Sequence, residues 1–125
     1  MSISRLHQVA LHADDLDRAV AFYRDVVGLP LVARFDPPGL AFFDLGNVRL
    51  LLEGGAPASL LYLEVDGVEA TRARLVDAGV AFVDEPHLIF ADTEGTFGPP
   101  GTGEWMTFFH DSEGNLVGLV ERRAA

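Results

Sequence analysis

Four histidines, His7, His12, His87 and His110, are the residues best suited to bind a transition metal or move a proton near neutral pH. His7 and His12 stand an odd number of residues apart, so a regular strand projects them from opposite faces and they cannot converge. His110 directly precedes the turn at Asp111, and His87 follows Pro86 ahead of an apolar run, where it can contact a ligand. Separate, hydrogen-bonded histidines are therefore expected, not a cluster. Glu53 ends a strand-like run, Arg49-Leu-Leu-Leu-Glu53. If Leu51 faces inward, Glu53 shares that face and can act as a general base or polar anchor; if Leu50 does, Glu53 turns to solvent. Tyr62 can stack on a ligand, donate one hydrogen bond or simply pack. Trp105, the only tryptophan, follows Gly95-Thr-Phe-Gly-Pro-Pro-Gly-Thr-Gly103, a stretch too long for a tight hairpin. With Phe97 it either closes over a ligand or lies in a sheet or dimer seam. Gly98-Pro-Pro-Gly101 lacks the spacing of a phosphate cradle.

Composition narrows the chemistry. The chain has 125 residues and no cysteine, which excludes disulfides, thiolate metal sites and cysteine nucleophiles. Nine Lys+Arg against nineteen Asp+Glu leave a net charge of −10, unsuited to nucleic acid or an anionic membrane. The same acidity would help attract a cationic ligand. The amino-terminal stretch lacks an apolar leader core, and no apolar run approaches the ~20 residues of a membrane span. A cytoplasmic location is the expectation.

The elements that must position these residues occur twice. Asp14, Leu16 and Gly28 find counterparts at Asp66, Val68 and Gly79, and Gly46-Asn-Val-Arg-Leu-Leu-Leu-Glu53 is echoed by Gly114-Asn-Leu-Val-Gly-Leu-Val-Glu121. In each copy an alternating strand meets an aspartate suited to cap a helix, Asp14 or Asp66, the second with Glu69 in a capping-box spacing. Gly28 and Gly79 then end the helices as left-handed caps. Strands are predicted around 30–36, 40–45 and 48–53 in the first copy and around 80–90, 104–110 and 115–121 in the second. The pattern is βαβββ repeated, an α+β chain with module 1 about 1–57 and module 2 about 58–125. Parity assigns Val9 and Leu11 to the helix side of the first strand, with Gln8, Ala10 and His12 opposite. In the fifth strand Leu61, Leu63 and Val65 face the helix and Leu60, Tyr62 and Glu64 do not. Both faces of the last strand are apolar, so parity leaves its orientation open.

Asp15-Leu16, Ala21-Phe-Tyr-Arg-Asp-Val-Val-Gly-Leu29 and Asp111-Ser-Glu-Gly-Asn-Leu116, with the doubled element order, resemble the vicinal oxygen chelate superfamily of glyoxalases, bleomycin-resistance proteins and extradiol dioxygenases. The resemblance covers nearly the whole chain. It implies paired βαβββ modules forming a cup-shaped mixed eight-stranded sheet with helices outside, usually completed by dimerisation. It also implies one metal ligand on each of four strands, for Zn, Ni, Fe or Mn. The first of those places falls on Gln8, the second on Leu50 or Leu51, the third on Leu60 and the fourth on Gly118. Three of the four side chains cannot ligate, and a metal site needs ~3–4 protein donors.

The expectation is thus a metal-free small-molecule binding protein, a homodimer holding an aromatic or cationic compound. Gln8, Leu60, Tyr62, His87, Trp105 and Gly118 are the candidate ligand contacts. The alternative is a lyase, isomerase, epimerase or dioxygenase relative with a non-standard divalent metal site or Glu53 as acid/base. A third reading, a structural interaction module, would need the cup filled by its own side chains.

Overall fold

The computed structural model describes Ile3 and residues 5–125. Met1, Ser2 and Ser4, part of the stretch read above for a leader, lie outside the described residues. Two compact units are present: the chain through Ser59 with Ser112–Asn115, and Leu60–Asp111 with Leu116–Ala125.

In the first unit β1 (Gln8–His12) leads into α1 (Leu16–Ala21), which widens into a π-helical turn over Phe22–Val27. Strands β2 (Leu31–Phe35), β3 (Leu40–Asp44) and β4 (Arg49–Glu53) follow, and the sheet order is β1-β4-β3-β2. The second unit repeats this plan with β5 (Leu60–Glu64), α2 (Val68–Asp77), β6 (His87–Asp92), β7 (Thr102–His110) and β8 (Leu116–Ala124), ordered β5-β8-β7-β6. In each sheet the first and last strands pair in parallel and the remaining pairs are antiparallel. The eight strands of the repeat are thus hydrogen-bonded as two four-stranded sheets.

Apolar periodicity decides which face of each sheet takes its helix. Leu11, Leu50, Leu52, Ala41 and Phe43 are buried with Ala19, Val20 and Tyr23 of the first helix. Val117, Leu119 and Phe109 are buried with Val68 and Leu75 in the second unit. Burying a large apolar side chain contributes roughly 1.5–3 kcal/mol, so these contacts fix the register of both sheets. Gly28 and Gly79 adopt φ of 93° and 95°, the left-handed geometry expected after a helix end.

Three local expectations change. The cap of α1 is Asp15, one residue beyond Asp14, and its carboxylate accepts from the Arg18 N–H at 3.1 Å. Asp66 caps nothing: Gly67 holds the N-cap position, and the Val68 N–H instead donates to Glu121 Oε1 at 2.9 Å. β6 begins at His87, not near 80, because Pro86 lacks a ladder donor and the segment before it is tied down by Asp84. That carboxylate accepts from the Thr107 hydroxyl and the Phe108 N–H, both at 2.9 Å. Among the described residues no helix is long and apolar enough to cross a membrane.

Candidate ligand site

Register sorts the candidates onto the helix-free faces of the two sheets. On the first sheet Gln8 pairs with Arg49, Ala10 with Leu51 and His12 with Glu53. Leu51, not Leu50, therefore shares a face with Gln8, and Glu53 joins it. The Gln8 amide oxygen accepts from Arg49 Nη2 at 2.8 Å, and the same nitrogen donates to His7 Nε2 at 3.0 Å. The Arg49 guanidinium also lies over the Phe42 ring, 5.4 Å from its centroid. A cation already occupies the Gln8 oxygen.

His12 donates from both ring nitrogens, to the Ala56 carbonyl at 2.9 Å and to Asp14 Oδ1 at 2.7 Å. The Asp14 hydrogen bond, followed by that of the Ala56 carbonyl, raises the imidazole above its ordinary pKa. Glu53 Oε1 folds over Gly55, where a Cβ would stand only 3.3 Å from it. Glu53 is half-buried beside His12, a position that can anchor or exchange a proton.

On the second sheet Leu60, Tyr62 and Glu64 of β5 stand opposite Leu116, Gly118 and Val120 of β8, which stand opposite His110, Phe108 and Met106 of β7. The orientation of β8 that parity left open is now set, with Gly118 and Val120 away from α2. Tyr62, Glu64, Glu104, Met106 and Val120 line a concavity of about 370 Å³, within the range of small-molecule sites. Its floor is apolar and its rim carries two carboxylates. Tyr62 is half exposed and its ring meets Phe108 edge-on, with centroids 5.9 Å apart. Gly118 lies beneath both rings: an added Cβ would come within 2.7 Å of Phe108 and 3.1 Å of Tyr62. It makes room for the aromatic pair and offers a ligand no surface of its own.

Trp105 is a correction. It alternates with Glu104 and Met106 and so lies on the α2 side of the sheet, opposite Glu121. Its indole N–H donates to the Ala124 carbonyl at 3.0 Å, and the Arg123 guanidinium stacks 4.4 Å from its ring. Arg123 in turn pairs with Glu69 at 2.6 Å. The indole belongs to a seam between strand ends and helix and does not line the concavity. Leu60 is exposed at the start of β5, one position short of the lining residues. His87 stands opposite Met106 but bonds locally, donating from Nδ1 to the Glu85 carbonyl at 2.9 Å. Sequence reasoning missed Glu64, Glu104, Met106 and Val120 as a set. Glu64 was visible by parity with Tyr62, whereas the β7 residues required the β7–β8 register.

The Gly/Pro-rich stretch is held closed by Asp92, which is 1% exposed. Its carboxylate accepts from the N–H groups of Thr96, Phe97 and Gly98 at 2.7, 2.9 and 3.1 Å and pairs with Arg122. Burial pushes this carboxyl upward, but the Phe97 and Thr96 N–H groups, Arg122 and the Gly98 N–H outweigh it and hold it at about 2. Phe97 stays exposed and meets Phe90 edge-on, with centroids 5.7 Å apart.

The four family metal places do not supply a donor set. They carry an amide bonded to Arg49, Leu51, an exposed leucine at 60 and a buried glycine at 118. Among the described residues no three His, Asp or Glu side chains come together as a metal site would require.

The family model of the Glyoxalase/Bleomycin resistance protein/Dioxygenase superfamily matches residues 5–119. No curated protein matches the chain significantly. Among solved structures it is similar to a lactoylglutathione lyase from Agrobacterium tumefaciens, 27% identical, with 97% of this chain and 96% of that one covered and a TM-score of 0.72. It is also similar to TnmS3, an antibiotic binding protein from Streptomyces sp. CB03234, at 26% identity, 98% and 99% coverage and a TM-score of 0.75. A superfamily member from Sphaerobacter thermophilus shares the fold at 22% identity, with 95% and 98% coverage and a TM-score of 0.74.

Proposed function

Because the chain belongs to the Glyoxalase/Bleomycin resistance protein/Dioxygenase superfamily, we propose that it is a metal-free binding protein for a small organic molecule. The observation that carries this reading is the concavity lined by Tyr62, Met106 and Val120, beside family ligand places on β5 and β8 that hold the non-ligating Leu60 and Gly118. Apolar walls with a few polar groups suit capture by shape, which requires no activated group. The likeness to an antibiotic binding protein supports the same reading. Association as a homodimer and a cytoplasmic location are parts of the proposal, the first supported by exposed Val32, Phe35 and Leu60.

A second reading is favoured by one observation: Glu53 stands in register with His12, whose ring nitrogens lie against the Ala56 carbonyl and Asp14, so two proton-exchanging groups occupy neighbouring strands. It corresponds to a lyase, isomerase or dioxygenase relative, with a divalent ion at a non-standard site as its variant form. The test is equilibrium dialysis against a panel of aromatic, cationic and acyl-type compounds, with chemical analysis of whatever is retained. Retained compounds should be recovered unchanged. Tyr62→Ala should weaken retention by roughly 1–3 kcal/mol, as expected for a stacking aromatic contact. Recovery of an altered product whose formation stops in Glu53→Gln would replace the binding reading with the enzymatic one.

A further inference from the structure

We propose that the concavity selects an organic monocation, a protonated or quaternary amine carried on an aromatic or branched apolar body, with Glu64 as its counter-charge. This rests on the reading of the concavity as a ligand site and adds the chemical class of ligand. The two carboxylates that line it are not equivalent. Glu104 Oε2 stands 3.5 Å from Arg122 Nη1, so its charge is already answered by the protein. Arg122 is itself fixed by its pairing with buried Asp92, which keeps that guanidinium from swinging away to serve another partner. Glu64 lies on the edge strand β5, exposed, with no cationic partner among the described residues.

An exposed carboxylate is ordinarily just solvated, but this one stands next to apolar surface. Tyr62, Met106 and Val120 form the floor it borders. A ligand laid on that floor displaces water from the flank of Glu64, and a cationic group restores the lost interaction while an anionic one cannot. The Tyr62 ring, half exposed, adds a face that attracts ammonium. One answered carboxylate and one free carboxylate leave room for a single positive charge.

Three probes with a common phenyl body separate charge from shape: 2-phenylethylammonium, 2-phenylethanol and 3-phenylpropionate, titrated calorimetrically into the intact protein. The ammonium should bind roughly tenfold more tightly than the alcohol, a preference of the size expected for a partly exposed charge contact on an aromatic floor. The propionate should not bind measurably. In Glu64→Gln, an exposed and isosteric change, ammonium and alcohol should bind alike. Equal affinities in the unmodified protein, or an ammonium preference that survives Glu64→Gln, would overturn the charge assignment while leaving the ligand site intact. Absence of binding by all three would overturn the assignment and the site together.

Discussion

Replacing Asn115 with alanine is expected to lower the unfolding free energy by about 2–4 kcal/mol, among the largest single effects in this chain. The side chain is fully buried, and each end satisfies a backbone group of the first unit. Its Oδ1 accepts from the Ser59 N–H at 3.0 Å and its Nδ2 donates to the His12 carbonyl at 2.8 Å. Alanine removes the partner of the part-buried Ser59 N–H and His12 carbonyl, each loss costing about 1–2 kcal/mol. Asn115→Asp preserves volume but puts a carboxylate oxygen against the His12 carbonyl, so it should be at least as damaging. Asn47, the repeat counterpart, is exposed, and Asn47→Ala should stay within about 0.5 kcal/mol of the parent. Urea midpoints for the three variants decide the matter. A mild Asn115→Asp would mean that the side chain only fills space.

Acid should destabilise the protein steeply between the ordinary carboxyl range and about pH 2. Glu113 and Asp92 are both held at about 2 in the folded chain. At Glu113 burial pushes upward, and the Arg18 guanidinium, the Asp15 N–H and the Ser112 hydroxyl together overcome it. The contacts are 2.7 and 3.0 Å to Arg18, 2.9 Å to the Asp15 N–H and 2.8 Å to Ser112. Because the folded values lie below the unfolded ones, the unfolded chain binds more protons across this window. The stabilisation is complete above the unfolded value and lost as pH falls through the folded one. For Glu113 it amounts to about 2 kcal/mol once the half-exposed Arg18 is allowed for. Denaturation at pH 7, 4 and 2.5 should show this fall, and Glu113→Gln should flatten it while lowering stability at pH 7. An acid limb unchanged in Glu113→Gln would contradict the assignment.

The doubled order of elements was legible because each copy repeats the same caps and alternations, and Leu11, Gly28 and Gly79 sit as their positions imply. Faces were legible only where polar and apolar residues alternate. β5 could be oriented from Leu61 and Leu63 against Tyr62 and Glu64, but β8 is apolar on both faces and takes its orientation from pairing with β5 and β7. Trp105 was left between two readings for a related reason. Proximity to a long loop says nothing about which face a strand residue takes, and β7 pairs with β8 in continuous register from Thr102 to His110. Residues 80–86 pair with β7 only through an isolated bridge from Phe82 to Phe109, and Asp84 adds side-chain bonds to Thr107 and Phe108 that no periodicity reveals. The concavity itself was half visible: Tyr62 stood out, while Glu64 and Glu104 resemble the solvated carboxylates of any strand until register brings them to one face.

Met106 lines the concavity. Labelling the methionine ε-methyl groups with carbon-13 therefore gives a signal in the proposed site, assigned by its loss in Met106→Leu. In protein dialysed exhaustively against a chelator, titration with the compound panel should move the Met106 methyl signal saturably. A Met106 signal that no compound moves, or that moves only after a divalent ion is restored, would contradict metal-free capture at this concavity.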